Sequence, residues 1–237
     1  MLVVRLLQLI SGNVAEFTRD AWVHISGRRP PISAAHRDKA RIWVVGPAGV
    51  GKTTLINTCL GETPRSDQVA PQTLKFEWRF RARSPIAFAD TRGLEMITGP
   101  EQVRQAARLL AKTPRDARPH VVWLCVRQEA SRVFGQDKNT GTEAALAQTM
   151  MEHGLPCVGV LTQADVSGLD HDQMIEAMRE HIPGLRQAIP VCAQDRYSDG
   201  ALAVRRHGID HLRQLTLDLL PPALRERAAR GWPQTGI

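Results

Sequence analysis

The sequence predicts an α/β fold of three layers, in which a mostly parallel six-stranded sheet with one antiparallel edge strand carries helices on both faces. Strand-like and helix-like segments alternate along the chain, which is typical of βαβ units and a parallel sheet. Two strand segments are consecutive, because residues 74–82 and 85–90 have only Arg83, Ser84 and Pro85 near the turn. Such a pair forms a hairpin, so one of its strands runs antiparallel to the sheet.

Local patterns of apolar residues predict the individual strands and helices along the chain. A β-branched run around Val44 predicts the first strand, and the spacing of Leu55, Ile56 and Leu60 predicts an amphipathic helix after it. The same alternation continues to a last helix. The predicted strands cover residues 40–45, 74–82, 85–90, 120–126, 156–162 and 188–192. The predicted helices cover residues 52–60, 101–112, 138–153, 171–182 and 209–220.

The segment LKFEWRFRA, residues 74–82, alternates strictly between apolar and polar side chains. One of its faces is therefore expected to be exposed to solvent, which is typical of an edge strand. The positive side chains on that face fit protection of the exposed edge, and docking of a partner is the alternative.

Composition indicates a folded domain with a sizeable core. Of the 237 residues, 43% are hydrophobic and 23% are charged, which excludes a disordered chain. Four cysteines stand far apart, each in an apolar segment and none in a C-x-x-C pair: Cys59, Cys125, Cys157 and Cys192. We expect buried thiols in a reducing compartment, with neither zinc nor disulfides.

The chain carries a formal net charge of +7, but its arginines are scattered over every element. That distribution favours a solvated surface over nucleic acid, and we find no KH-like G-x-x-G module and no aromatic-rich basic strand face after residue 220. Residues 1–27 begin with an apolar run, but polar residues interrupt this run and leave it too short to span a bilayer. We expect them to form a helix that packs on the domain or a partner, with a membrane-surface helix as the alternative.

This organisation predicts an N-terminal helical extension and linker at residues 1–38, the main domain at 39–220 and a short tail at 221–237. The expected location is the cytoplasm, with a peripheral position at the inner membrane face as the alternative.

The most specific motif is G-x-x-x-x-G-K-T, from Gly46 to Thr53, between the first strand and the first helix. Its glycines allow the backbone to fold around an anion, and Lys52 supplies a positive charge for the outer phosphates. The Thr53 hydroxyl suits Mg²⁺, and the helix directs its positive end at the same anion. The sequence therefore predicts a phosphate-binding P-loop.

Three further segments follow strands whose carboxyl ends should meet at the ligand edge of the sheet. Asp90-Thr91-Arg92-Gly93 is a D-x-x-G motif that suits the shell of Mg²⁺ and the γ-phosphate. In the segment TQAD, Asp165 can accept hydrogen bonds from the N1–H and the 2-amino group of guanine, donors that adenine does not offer together. Cys192-Ala193-Gln194 can bring a backbone N–H to the guanine oxygen.

The series GPAGVGKT, DTRG, TQAD and CAQ resembles the G1, G3, G4 and G5 motifs of GTP-binding proteins, especially Era-like members of the translation-factor-related class. The resemblance covers about residues 40–220. It implies a three-layer P-loop NTPase G domain that binds GTP or GDP with Mg²⁺. Some bacterial Era-like G domains precede a helical membrane-associated domain.

The resemblance also implies roles by position. The catalytic residues would be Lys52, Thr73 and Gly93, with Thr63 as the alternative to Thr73 for the switch threonine. The metal ligands would be Thr53, Thr73 and Asp90. The nucleotide-binding residues would be Gly46, Pro47, Ala48, Gly49, Val50, Gly51, Lys52, Thr53, Thr54, Asp90, Gly93, Thr162, Gln163, Asp165, Cys192 and Ala193.

Three residues depart from the family pattern. Gln163 stands in place of the usual lysine of the base motif, and Cys192 in place of the usual serine. Leu94 follows Gly93 where many small GTPases carry a glutamine that orients water, and leucine has no group that can do so. We expect slow hydrolysis unless a partner or second subunit supplies the missing group.

The sequence favours a regulatory GTPase whose residues 61–74 and 91–100 respond to the nucleotide and form a surface for an effector or a second copy. One alternative is a nucleotide-binding interaction module with negligible hydrolysis, which Leu94 favours. The other is a P-loop ATPase, which Asp165 opposes.

Overall fold

The computed structural model describes residues 38–61, 77–79, 84–90, 100–113, 115–127, 141–164, 170–182, 184–185 and 187–232. The chain divides into two units, residues 1–37 and 38–237. All of the described residues belong to the second unit. The predicted N-terminal extension lies outside them apart from Asp38, so its helix and its membrane contact stay predictions.

Strands and helices alternate along the described residues. The strands are β1 (Ala40–Val45), β2 (Glu77–Arg79), β3 (Ile86–Asp90), β4 (Val121–Arg127), β5 (Cys157–Thr162), β6 (Gln187–Val191), β7 (Arg196–Ser198) and β8 (Ala201–Val204). The helices are α1 (Lys52–Leu60), α2 (Pro100–Lys112), α3 (Thr142–Glu152), α4 (His171–His181), α5 (Ile209–Leu219) and α6 (Pro222–Gly231), with a 3₁₀ turn at Arg115–Ala117.

Six strands form one sheet in the order β2-β3-β1-β4-β5-β6. Neighbours pair in parallel except β2 and β3, which are antiparallel, with Trp78 opposite Ala89. The predicted sheet with its antiparallel edge strand is confirmed. Of the predicted strand 74–82, the remaining residues lie outside the described part of the chain.

Alternate residues of the central strands pack into two cores on opposite faces of this sheet, because side chains of a strand alternate in direction. Ile42 and Val44 belong to a core that includes residues of α1, α5 and α6. Trp43 and Val45 belong to the other core, with residues of α2, α3 and α4. The predicted helices on both faces are confirmed. No helix among the described residues is long and apolar enough to cross a membrane.

One predicted boundary needs correction, and one hairpin was not predicted. The predicted helix 138–153 includes Gly141, but this residue has extended backbone, with φ −76° and ψ 152°, and α3 begins only at Thr142. Glycine is a poor helix former, which explains the later start. The hairpin of β7 and β8 was not predicted, although Asp199 and Gly200 carry the positive φ angles of 52° and 80° typical of an Asp-Gly hairpin turn.

The segment predicted as a tail contains helix α6, which begins with Pro222 in its first turn, a position that suits proline. Arg225 donates from Nε to the Leu217 carbonyl at 2.9 Å and from Nη2 to the Asp218 carbonyl at 2.7 Å. These bonds engage carbonyl groups in the last turn of α5, where the regular helical hydrogen-bond pattern ends. Residues 221–232 are therefore part of the packed structure.

Trp232, directly after α6, anchors this segment in the core. Its side chain is 4% exposed, and its ring lies 5.9 Å from that of Phe88 and 6.2 Å from that of Trp123, between centroids. Aromatic rings at such distances attract each other beyond the gain from burial alone.

We predict that Trp232→Ala lowers the free energy of unfolding by about 3–5 kcal/mol, because it removes a large side chain from a closed core. Urea unfolding followed by circular dichroism measures this loss. Arg230→Ala, at an exposed position of α6, serves as the control and should change stability by at most about 0.5 kcal/mol. Equal stability of the two variants would mean that α6 is dispensable.

Candidate functional site

The carboxyl ends of the parallel strands meet at one edge of the sheet, as the strand register shows. Val44 of β1 lies opposite Asp90 of β3, and Thr162 of β5 lies opposite both Arg127 of β4 and Val191 of β6. The segments that follow these strands are therefore neighbours in space. This edge is where open α/β sheets bind ligands.

The phosphate loop connects β1 to α1 and approaches β4 closely. A Cβ added at Gly46 would lie 2.4 Å from the Cys125 carbonyl oxygen, closer than any side chain can approach. Gly51, just before the helix, has φ 93°, a backbone conformation that glycine adopts without strain. Between them Pro47 and Ala48 are exposed and Val50 is buried in the core.

Lys52 opens α1 with its side chain turned back over the loop. The ammonium nitrogen donates to the Gly46 carbonyl at 2.9 Å and to the Pro47 carbonyl at 2.7 Å, and the residue is 3% exposed. The first turn of α1 contains no acidic residue, so no carboxylate of that turn competes for the positive end of the helix. A buried ammonium group beside a helix N-terminus is suited to bind an anion.

Thr53 and Asp90, both predicted as metal ligands, are in contact. The Thr53 hydroxyl donates to Oδ2 of Asp90 at 2.9 Å, and Asp90 is 0% exposed. Both groups offer oxygen atoms, which are the ligands that Mg²⁺ prefers. This pair of oxygen ligands fits the predicted ion, and Thr53 is adjacent to Lys52 in sequence. Thr54, the next residue of α1, is half-buried.

The base motif begins at the carboxyl end of β5. The Thr162 hydroxyl donates to the Val126 carbonyl at 3.1 Å and so holds β5 to β4. Gln163 has the left-handed φ of 57°, which is uncommon for residues other than glycine and often marks a functional site. Its amide nitrogen donates to the Gly49 carbonyl at 3.2 Å. The base motif is thus joined directly to the phosphate loop.

The loop after β6 is held from two sides. Cys192 is 2% exposed, and its thiol donates to the Gln194 carbonyl at 3.0 Å. The Ala193 carbonyl accepts a hydrogen bond of 2.9 Å from the Thr58 hydroxyl of α1. The predicted base loop therefore rests on the same helix that begins with Lys52.

Burial keeps the thiols of Cys59, Cys125 and Cys157 protonated. Burial raises the pKa of Cys125 to about 12, although Lys52 lowers it, so this thiol stays neutral at physiological pH. Burial also raises the pKa of Cys59, and the pKa of Cys157 is raised to about 12 for the same reason. All four cysteines are buried and free, as predicted.

Several predicted site residues lie outside the described residues. They are Thr63, Thr73, Arg92, Gly93, Leu94 and Asp165. The assignments of the switch threonine, the γ-phosphate contact and the guanine-binding carboxylate therefore stay predictions.

One residue at the site was missed by sequence reasoning. Arg127, the last residue of β4, donates from Nη2 to the Gly49 carbonyl at 2.9 Å. Its position directly after the predicted strand 120–126 is a sequence signal, because charged side chains at the carboxyl ends of parallel strands point to the ligand edge.

We predict that Gly46→Ala lowers the free energy of unfolding by about 1–3 kcal/mol through overpacking, because the new Cβ forces the phosphate loop away from β4. Denaturant titration measures this loss. Gly154→Ala is the matched control, since it also has a positive φ, but its Cβ would meet no atom within 4 Å. Backbone strain alone should cost that variant about 1 kcal/mol. If Gly46→Ala were as stable as the wild type, the close approach to β4 would be wrong.

Solved structures are similar to this chain at low sequence identity. A probable GTP-binding protein, EngB, has a TM-score of 0.51 and 17% identity, over 79% of this chain and 99% of its own. Elongation factor SelB from Methanococcus maripaludis, with the GTP analogue GppNHp, has a TM-score of 0.46 and 14% identity, over 77% and 34%. A GTP-binding protein from Sulfolobus solfataricus, with GDP, has a TM-score of 0.42 and 16% identity, over 80% and 52%. At such identities the likeness to EngB shows the fold alone.

The family described as 50S ribosome-binding GTPase matches residues 41–163, more than half of the chain. The matched part holds the phosphate loop, Asp90 and the start of the base motif. No curated protein matches this chain. The chain is therefore a member of this family of P-loop GTPases, whose nucleotides are GTP and GDP.

Proposed function

We propose that this chain binds GTP and GDP together with Mg²⁺, hydrolyses GTP slowly, and acts as a nucleotide-dependent switch. The observation that carries the proposal is the 2.9 Å contact between the Thr53 hydroxyl and the Asp90 carboxylate, next to the buried ammonium of Lys52. Oxygen ligands for a hard cation and a buried positive charge meet at one helix N-terminus. Together they suit a metal-bound polyphosphate.

The residues of the phosphate loop supply binding and orientation. Lys52 would exchange its bonds to the Gly46 and Pro47 carbonyls for the outer phosphate oxygens, which carry full negative charge and accept stronger hydrogen bonds. Thr53 and Asp90 would hold Mg²⁺, which neutralises charge on the β- and γ-phosphates when it is bound. The nucleotide and its metal ion would thus bind to side chains that hydrogen bonds within the protein already position.

Guanine selectivity rests on the predicted role of Asp165, outside the described residues. Two hydrogen bonds support this role. The Thr162 side chain connects β5 to β4, and the Gln163 side chain connects the base motif to the phosphate loop. The chain direction after Gln163 is set by a hydrogen bond of 3.3 Å from the Ala164 N–H to the Val191 carbonyl. A carboxylate on this frame would select guanine over adenine, because adenine leaves it without its pair of donors.

The proposed switch surface consists of residues 61–74 and 91–100, which follow α1 and β3. Thr73 and Gly93 would close over the γ-phosphate only when GTP is bound, so the surface would change with the nucleotide. An effector protein or a second copy of the chain would read that change. The Era-like class and peripheral membrane contact through residues 1–27 belong to the same proposal.

We predict that isothermal titration calorimetry with Mg²⁺ detects binding of GDP and of a non-hydrolysable GTP analogue, and far weaker binding of ATP. Lys52→Ala should weaken GDP binding by about 10- to 100-fold, because a charge-assisted hydrogen bond is lost. Lys112→Ala, at an exposed position of α2, removes the same charge and should bind like the wild type. Absence of heat with every guanine nucleotide would refute the function, and equal affinity for ATP would refute guanine selectivity.

A separate prediction concerns hydrolysis, because Leu94 favours a binding module that does not turn over. In a single-turnover experiment with pre-bound GTP, we expect phosphate release at a rate on the order of 10⁻⁴ s⁻¹, the scale of unassisted GTPases. The measurement is repeated at rising protein concentration, since a facing subunit that supplies the missing group would raise the rate. Bound GTP that stays intact over many hours at every concentration would favour the interaction module.

A further inference from the structure

The Gly49 carbonyl of the phosphate loop accepts hydrogen bonds from two side chains. Nη2 of Arg127 lies 2.9 Å from this oxygen, and Nε2 of Gln163 lies 3.2 Å from it. The two donors come from adjacent strand ends, because Arg127 is the register partner of Thr162, the residue before Gln163. One backbone oxygen therefore joins the phosphate loop to both β4 and β5.

The two donors differ in charge. Gln163 stands where the related G domains carry a lysine, and its neutral amide can reach the loop but brings no positive charge. Arg127 brings a guanidinium group to the same oxygen. An arginine is always charged and offers five N–H donors.

The contact is also closely fitted. Arg127 is half-buried at the end of a strand whose other residues are buried. A Cβ added at Gly49 would lie 3.0 Å from Nη2 of Arg127, so the guanidinium rests directly against the loop backbone. The hydrogen bond itself is exposed to solvent, so the guanidinium lies at the surface of the site.

We propose that Arg127 is a nucleotide-positioning residue that supplies, from the end of β4, the positive charge that the base motif lacks at Gln163. This inference rests on the proposed nucleotide site. Arg127 holds the Gly49 peptide in the orientation that the phosphate loop needs. It also adds a cation beside a loop that binds polyphosphate, where a positive charge strengthens binding. Gln163 keeps the hydrogen bond that joins the base motif to the loop.

The test moves the positive charge from position 127, at the end of β4, to position 163, directly after β5. Arg127→Gln should weaken GDP binding by about fivefold, because a charged hydrogen bond becomes a neutral one at a half-buried position. Gln163→Lys in that background should restore most of the affinity, since lysine can donate to the same carbonyl. Gln163→Lys alone should not strengthen binding, because two cations would then meet at one oxygen. Calorimetry and the dissociation rate of fluorescent GDP measure these effects.

Arg179→Gln provides the control, because Arg179 lies on α4 with its side chain 51% exposed and the substitution removes the same charge. It should bind GDP like the wild type. Arg127→Lys should retain most of the affinity, whereas a purely steric role of Arg127 would be served equally by lysine and glutamine. Unchanged GDP affinity of Arg127→Gln, or failure of Gln163→Lys to restore it, would overturn the proposal.

A second readout does not depend on nucleotide. In the nucleotide-free protein, Arg127→Gln should speed amide hydrogen exchange at residues 46–51 about fivefold, because the loop loses one of its two anchors at Gly49. Arg179→Gln should leave exchange there unchanged. If the wild type bound no guanine nucleotide, the proposed function would fail, while this exchange would still show whether Arg127 holds the loop. Unchanged exchange at the loop would refute the contact itself.

Discussion

The parallel register of the central sheet is the constraint on which the site depends. Because β1, β3, β4, β5 and β6 run in one direction, their carboxyl ends lie at one edge. Groups far apart in sequence therefore come within hydrogen-bond distance there, as Thr53 does with Asp90 and Arg127 with Gly49. Close packing on both faces favours this register, since a shift by one residue would exchange the side chains of the two cores.

The phosphate loop meets two local requirements, a steric one at Gly46 and an electrostatic one at Lys52. The approach of Gly46 to the Cys125 carbonyl leaves no space for a side chain, whereas the charge of Lys52 needs polar partners because burial disfavours an ammonium group. The carbonyl groups of Gly46 and Pro47 meet the second need, and the missing side chain at Gly46 meets the first. These contacts hold the loop in one conformation, and such preorganisation reduces the entropic cost of binding.

The sequence predicted those parts of the molecule that local chemistry determines. The glycine-rich loop between β1 and α1, the antiparallel edge strand and the position of Asp90 at the end of β3 follow from glycine spacing, strand alternation and a carboxylate at a strand end. Helix α6 was missed because its charged segment resembles a tail, and it is fixed by contacts remote in sequence, such as Trp232 with Phe88. The hairpin of β7 and β8 had a local signal in Asp199-Gly200, but its strands are short and exposed.

Arg127 illustrates why a motif read along the chain can miss part of a site. In the sequence, Gln163 is a departure from the base motif, and a lost lysine suggests a weaker site. In the fold, the Gly49 carbonyl can be reached from the end of β5 and equally from the end of β4. Under the proposed role of Arg127, the site needs a donor at that oxygen and a positive charge beside it, and either strand can supply them. The Gly49 carbonyl therefore sets the need for a donor, and a side chain at the end of either strand can meet that need.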